Sequence, residues 1–190
     1  FGADLQVVRC RGWRRNMWFH ETGLPWVNPS PNIRNPRQAL LYVAIGTLEA
    51  CHISVGRGTD TPFEVIGAPW MDDLQAAEAL NEVGIAALSF TPLAFTPYER
   101  EFVGQECRGV FITLHDWELF EPVTAALQIA VTLQGLWPEQ FGAERMRHLL
   151  GHAGATQAVV EGRPVEAIAA LWQEGLAAFR AAAAQYRLYE

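Results

Sequence analysis

The stretch from Gly12 to Pro36 constrains the fold of this chain more than any other part of its sequence. It reads GWRRNMWFHETGLPWVNPSPNIRNP and is dense in Trp, Pro, Gly and Asn. Pro lacks a backbone N–H and Gly favours turns, so a regular helix or strand is disfavoured there. We predict a long ordered loop held by its aromatic side chains, and long ordered loops are often functional.

The residues before this loop form a short apolar run, Leu5 to Cys10, that has no hairpin partner close behind it. We interpret the run as the tail of a longer element. The predicted division is therefore a remnant of a preceding domain, or a linking strand, at residues 1–11, and one domain at residues 12–190. A chain of 190 residues is long enough to bury a substantial core.

Four helices are predicted downstream of Asn35 from the signals at their ends. Capping residues and prolines mark where they begin, and glycine or proline marks where the first three end. The last helix has apolar residues at three- and four-residue spacing, which we expect to face the core. The helices run from Pro36 to about Gly46, from Asp72 or Asp73 to about Val83, from Pro122 to Trp137 and from about Pro164 to Tyr186, and the stripe is Val165, Ile168, Trp172, Leu176 and Phe179.

Four segments between the helices are predicted to be extended: Thr47 to Ser54, Phe63 to Ile66, Ile85 to Leu93 and Gly109 to Leu114. The last contains the β-rich run VFITL, which is typical of a buried strand. Helices alternate with strands and no internal repeat is visible. The sequence thus predicts an α+β domain, α/β-like in its order, with a mixed β-sheet and packed helices.

Charge, hydropathy and cysteine spacing exclude several classes of partner. The formal net charge of −7 opposes nucleic acid, whose binding relies on clustered basic residues. The longest apolar stretch, Ala125 to Leu133, is far shorter than the roughly 20 residues of a membrane span. Cys10, Cys51 and Cys107 cannot all pair and lack CxxC spacing, so we predict buried thiols.

The densest polar cluster between predicted elements runs from Glu49 to Thr59 and ends in the turn Gly-Arg-Gly-Thr, hereafter the GRGT turn. Its glycines let backbone N–H groups approach a ligand, and Arg57 and Thr59 add side-chain donors. The turn lacks the Walker lysine and the dinucleotide fingerprint, so no cofactor is predicted. It suits an anionic or hydroxyl-rich ligand, and a plain turn without a ligand is the alternative.

Glycoside hydrolysis most often needs two carboxylates, separated by roughly 5 to 9 Å. Glu49, Glu64 and Asp116 are the candidates, and Glu49 is the one assigned a catalytic role. His52, His115 and Asp116 would be the ligands of a metal-dependent hydrolase. No metal site is predicted, because Glu49 and His52 in an extended segment would point to opposite faces. Four aromatic residues either stack on sugar rings or pin the loop to the core, namely Trp13, Trp18, Trp26 and Trp70.

Several long blocks of this chain resemble one known family. The chain is similar to the C-terminal half of the exo-β-N-acetylmuramidases of glycoside hydrolase family 171, once catalogued as domain of unknown function 1343. The blocks are GW.R.MWF.ETGLPWV.PSPNI at Gly12–Ile33, Glu49 with S.GRGT at Ser54–Thr59, PFE..GAPW.D at Pro62–Asp72, and shorter matches at Phe90–Pro97, Cys107–Val110 and Phe120–Val123.

The resemblance implies a two-domain bacterial enzyme that removes N-acetylmuramic acid from the non-reducing ends of peptidoglycan fragments during cell-wall turnover, in the periplasm or outside the cell. The family's N-terminal Rossmann-like domain, which carries a catalytic glutamate, is expected to be missing here. This chain would then be inactive alone and would supply one wall of an inter-domain sugar site. The expected partners are that domain and a muramic-acid-containing sugar. The candidate site is catalytic Glu49 with substrate-binding Asn32, His52, Ser54, Arg57, Thr59, Glu64 and Asp116.

The chain also departs from the family at the predicted site. Members usually read EGTN.SEGRGT, whereas this chain has His52 in place of the Asn and Val55 in place of the second Glu. The family's V-T-D-R becomes Leu114-His-Asp116-Trp, which keeps the acid and loses the Arg. These changes leave a second hypothesis open, in which the chain is a non-catalytic carbohydrate-binding or scaffold module derived from the family.

Overall fold

The computed structural model describes residues 2–189, which fall into two compact units. Unit 1 combines the residues up to Val27 with those from Trp172 onward, and unit 2 runs from Asn28 to Leu171. Unit 1 contains most of the aromatic-rich loop, which is irregular as predicted apart from a 3₁₀ helix at Phe19–Thr22. Unit 2 contains the β-sheet and most of the helices.

The sheet of unit 2 has three strands, β1 (Val65–Ala68), β2 (Leu88–Phe95) and β3 (Cys107–Leu114), in the order β1-β3-β2. The predicted α+β class is confirmed. Both ladders are antiparallel, so the sheet is not mixed as the sequence suggested. The reason is that the chain returns from β2 to β3 through residues 96–106 without a crossover helix, which a parallel pair would need.

The first three predicted helices are confirmed as α1 (Pro36–Ile45), α2 (Asp73–Val83) and α3 (Pro122–Leu136). The side chains of Asn35 and Asp72 each accept a hydrogen bond from a backbone N–H in the first turn, as capping residues do. α2 packs on the sheet, and α3 contacts both α1 and α2. The core of unit 2 forms there, with Leu41, Leu80, Ile112, Leu127 and Ile129 fully buried.

The C-terminal third of the chain differs most from the prediction. The helix expected from Pro164 to Tyr186 is interrupted at Leu171 and Trp172, and its apolar stripe is only partly core. Ile168 is fully buried, but Phe179 is 68% exposed. Periodicity shows which face of a helix is apolar, not whether another element covers it. The elements found there are a 3₁₀ helix at Ala143–Met146, α4 (Arg147–Leu150), α5 (Ala153–Val160), α6 (Val165–Ala170) and α7 (Gln173–Ala184).

No helix within residues 2–189 combines the length and the apolar character that crossing a bilayer requires.

A pair of facing glycines allows β1 and β3 to approach closely. Gly67 of β1 lies opposite Gly109 of β3 in the ladder. A Cβ added to Gly109 would collide with the carbonyl oxygen of Ile66 and would lie 2.5 Å from the Cα of Gly67. Since those neighbours are backbone atoms in a buried ladder, they cannot move aside cheaply.

We expect Gly109→Ala to lower the free energy of unfolding by about 1–3 kcal/mol, the usual range for an overpacked interior. Gly135→Ala is the control, because nothing lies within 4 Å of the added Cβ in the exposed part of α3. It should be neutral or stabilising by up to about 1 kcal/mol, since Ala favours helix over Gly. Denaturant unfolding of both variants tests this, and an unchanged midpoint for Gly109→Ala would refute it.

The cysteine prediction is confirmed for two residues and wrong for the third. Cys51 and Cys107 are buried, whereas Cys10 is exposed. Burial raises the pKa of the Cys51 thiol from 9.0 to about 12, an effect that nearby Glu144 increases and Arg145 opposes. Burial, with a contribution from Glu101, raises the pKa of Cys107 to about 11.

These shifted pKa values predict a loss of stability at alkaline pH. The folded chain keeps both thiol protons at a pH where the unfolded chain releases them, so unfolding becomes easier as pH rises. Below pH 9.0 the Cys51 thiol is protonated in both states and does not lower the free energy of unfolding. Between that pH and about pH 12, the free energy of unfolding falls. Above pH 9.0 each thiol should reduce stability by about 1.4 kcal/mol per pH unit. Denaturant unfolding at pH 8 to 10.5 should show a flatter profile for Cys51→Ala than for Cys10→Ala, and identical profiles would contradict it.

Candidate functional site

The polar segment after α1 is folded and not extended, so the predicted strand from Thr47 to Ser54 is wrong. A 3₁₀ helix occupies Gly46–Leu48, and Cys51 N donates to Leu48 O in the turn that follows. Only Ser54 joins the sheet, through two backbone hydrogen bonds with Gly67 of 2.8 and 3.0 Å. This bridge fixes the start of the GRGT turn to β1.

The GRGT turn is formed by two left-handed glycines, Gly56 at φ 78° and Gly58 at φ 76°. It packs directly against residues 96–106, hereafter the β2–β3 loop. Tyr98 N donates to Gly58 O at 2.8 Å, and a Cβ on Gly58 would lie 2.5 Å from Glu99 N. Glycine is required there both by the backbone conformation and by the contact.

Arg57 at the tip of the turn is held by Glu49. Its Nε lies 2.7 Å from Glu49 Oε1, and its Nη2 donates to Glu49 Oε2 at 3.1 Å. The Nε contact lies off the N–H direction, so it acts as an ion pair and not as a hydrogen bond. The guanidinium also lies 5.4 Å from the ring centroid of Phe63. The Glu49 side chain is 35% exposed and the Arg57 side chain is 21% exposed, so the pair remains accessible to solvent.

A pocket of about 220 Å³ opens beside this ion pair. Two of its lining residues come from the β2–β3 loop and were missed by the sequence analysis. The only signal for them was a charged string, YERE at Tyr98–Glu101, between two predicted strands. The lining residues are Glu49, Ile53, Ser54, Val55, Arg57, Arg100 and Glu101.

His52 is not among the residues that line the pocket. Its Nε2 is 3.5 Å from Oε1 of Glu101, and its ring centroid is 5.1 Å from that of Phe102. Its backbone N–H donates to Phe141 O. His52 therefore connects the polar segment to the β2–β3 loop.

Glu64 lies apart from the pocket lining, although the sequence analysis grouped it with Glu49. It is 5% exposed and accepts a hydrogen bond of 2.9 Å from Gln38 Nε2. Arg37 Nη1 lies 3.5 Å from its other oxygen. Both partners belong to α1, so this carboxylate joins α1 to the start of β1.

The three remaining candidates do not line the pocket either. The Thr59 hydroxyl donates to Gly56 O and stabilises the GRGT turn itself. Asp116 Oδ1 accepts two backbone hydrogen bonds from the residues at 118 and 119, which makes it a turn residue. Asn32 is 8% exposed, and its backbone N–H bonds to Ser30 Oγ. The structure thus brings together Glu49, Ser54 and Arg57 and leaves the others outside the pocket.

The residues suggested for a metal-dependent hydrolase have different neighbours. His115 Nε2 is 2.7 Å from Ser89 Oγ, whereas His52 faces Glu101 and Asp116 forms a turn. Within the described part of the chain, no three His, Cys, Asp or Glu side chains are grouped to hold a metal ion.

Trp13, Trp26 and Trp70, which were considered as sugar platforms, each pack against another aromatic ring. Trp13 lies 4.8 Å from Tyr189, Trp26 lies 5.0 Å from Phe19, and Trp70 lies 5.7 Å from Trp137. The first two pairs are edge-to-face and the third is tilted. Ring packing of this kind is stabilising, which favours the anchoring role for these residues.

We expect Glu49 and Arg57 to be energetically coupled. In a double-mutant cycle with Glu49→Gln and Arg57→Gln, the coupling energy should be about 1 kcal/mol, because the contact is two-pronged and partly buried. The control cycle uses Asp73→Asn and Arg108→Gln, whose side chains make a single contact of 3.3 Å, with coupling below about 0.5 kcal/mol. Denaturant unfolding of the variants measures both, and equal coupling energies would contradict the expectation.

Sequence comparisons match nearly the whole chain to one family. The C-terminal model of the exo-beta-N-acetylmuramidase NamZ family matches residues 40–189, and its N-terminal model matches residues 1–37. The peptidoglycan beta-N-acetylmuramidase NamZ of Bacillus subtilis (strain 168) is 34% identical over 190 residues, covering 98% of this chain and 46% of that protein.

Two crystal structures of DUF1343 family proteins from Bacteroides fragilis share the fold. One has a TM-score of 0.83 and covers 94% of this chain and 49% of its own, at 24% identity. The other has a TM-score of 0.63 and covers 86% and 44%, also at 24% identity. The chain thus spans about half the length of the relatives it matches, and with its sequence matched almost end to end it belongs to the exo-β-N-acetylmuramidase NamZ family.

Proposed function

We propose that this chain is the C-terminal half of a glycoside hydrolase that removes N-acetylmuramic acid from the non-reducing ends of peptidoglycan fragments. The observation that carries the proposal is the pocket beside the GRGT turn, where Glu49 and Arg57 stay partly open to solvent. Planar guanidinium groups suit carboxylate and hydroxyl ligands, and a muramic acid offers both. Cell-wall turnover and a periplasmic or secreted location belong to the same proposal.

The size of the pocket supports a shared site. Its volume of about 220 Å³ is below the roughly 300–1,000 Å³ that small-molecule sites usually enclose. A complete sugar site would need a second wall, which we assign to the family's N-terminal catalytic domain. The chain alone is then expected to bind weakly and to lack activity.

The role of Glu49 follows from its contacts. Both of its oxygens face Arg57, so in this arrangement the carboxylate is an acceptor for a cation and not a proton donor. A catalytic role for Glu49 requires that the bound sugar displaces Glu49 from Arg57. Otherwise Glu49 positions Arg57, and the acid of the reaction comes from the other domain.

The test is an assay of the full-length protein with a chromogenic N-acetylmuramide. We expect sugar release, and a decrease of kcat/KM of at least about tenfold for Arg57→Gln, which removes the charge-assisted hydrogen bond that holds Glu49 beside the pocket. Arg163→Gln is the control, because Arg163 is exposed between α5 and α6 and lines no part of the pocket. Absence of sugar release under all conditions would overturn the proposal.

A non-catalytic carbohydrate-binding module is the second candidate. The observation in its favour is Val55, which lines the pocket where the family usually carries an acid, and which is only 3% exposed. Calorimetry with muramyl sugars on the full-length protein separates the two candidates. Binding without turnover would favour the module, and turnover would exclude it.

A further inference from the structure

The pocket is lined by two arginines, and one of them is already neutralised. Arg57 has its Nε and Nη2 at 2.7 and 3.1 Å from the two carboxylate oxygens of Glu49, and its guanidinium lies 5.4 Å from the ring centroid of Phe63. A ligand carboxylate could use that edge of the guanidinium only by displacing Glu49. The Glu49–Arg57 pair therefore contributes almost no net charge to attract an anion.

Arg100 is the second arginine of the pocket and has no such partner. No hydrogen bond or ion pair joins its side chain to another residue within 2–189. It is exposed, yet its side chain contributes to the lining of the same pocket. All of its donors are therefore available to a ligand, and a guanidinium matches a carboxylate with two parallel hydrogen bonds.

Glu101, one of the two acidic residues adjacent to Arg100 in the chain, is oriented elsewhere. Its Oε1 lies 3.5 Å from Nε2 of His52. With Glu49 beside Arg57 and Glu101 beside His52, both carboxylates of the pocket lining already have a neighbour of their own. Arg100 is the charged group of the lining that is left without one.

The backbone holds Arg100 in place. Arg100 at φ 68° and Phe102 at φ 60° are both left-handed, a conformation that residues with a Cβ adopt only when their surroundings impose it. The surroundings here are the hydrogen bonds Tyr98 N to Gly58 O and Gly104 N to Pro97 O, both 2.8 Å. A fixed backbone lowers the entropy lost when the side chain binds a ligand.

We infer that Arg100, and not Arg57, receives the carboxylate of the ligand and thereby selects an acidic sugar over a neutral one. The inference deepens the proposed function and rests on it for the identity of the sugar. The binding of a small carboxylate by the unpaired guanidinium of Arg100 depends only on the pocket and not on which sugar is bound.

The experiment follows the arginine Nε–Hε signals of the ¹⁵N-labelled chain by NMR, with Arg100 assigned among the fourteen arginines by its loss in Arg100→Gln. Lactate, N-acetylmuramic acid, its methyl ester and N-acetylglucosamine are titrated in turn. We expect a saturable shift of the Arg100 signal with the two carboxylates. Binding of N-acetylmuramic acid should be about tenfold tighter than that of its methyl ester, equivalent to about 1.4 kcal/mol.

Arg100→Gln should reduce this ratio to about one without weakening the methyl ester, whereas Arg163→Gln, which removes the same charge outside the pocket, should preserve it. A ratio retained in Arg100→Gln, or carboxylate shifts confined to Arg57, would overturn the inference while leaving the sugar site standing. A shift of Arg100 with lactate, but no binding of any of the three sugars, would support the carboxylate site and count against the proposed function. No shift with any ligand would overturn the inference.

Discussion

The two backbone hydrogen bonds between Ser54 and Gly67 are the interaction on which the candidate site depends. They attach an otherwise irregular segment to the edge of β1, and the residues beside the bridge, Ile53 and Val55, are 2% and 3% exposed. The GRGT turn that follows this segment packs against the β2–β3 loop. The absence of a side chain on Gly58 then allows backbone atoms to meet at a distance that any other residue would prevent.

The charges of the site are arranged around this anchored turn. Glu49 precedes the bridge and Arg57 follows it, so the reversal of the chain brings the two side chains together. Pairing Arg57 with Glu49 carries only a small desolvation penalty, because both side chains remain partly solvated and contact each other. The same arrangement leaves Arg100, carried by a different element, as the cation that faces the pocket without a partner. On our proposal, such a site separates a structural ion pair from a binding charge.

The length of the family relatives and the size of the pocket lead to the same expectation. The matches cover the chain almost completely but only about half of each relative. The pocket is likewise smaller than an ordinary ligand site. Both observations support the proposal that the chain contributes one part of a larger binding site.

The sequence by itself determined the features that depend on neighbours within about four residues. The caps at Asn35 and Asp72, the end of α2 at Gly84 and the glycines of the GRGT turn are set by local backbone geometry and local hydrogen bonds, and they were predictable for that reason. Long motifs also identified the family.

Only the tertiary structure decided which side chains meet. It placed Arg100 and Glu101 in the pocket and paired the Glu64 carboxylate with Gln38 of α1. It also left Phe179 exposed and made the sheet antiparallel. Each of these outcomes depends on contacts between residues far apart in the chain, where many surfaces compete to be covered by the same packing partners. Local pattern carries no information about that competition, because the same apolar stripe or charged string is compatible with several packing partners.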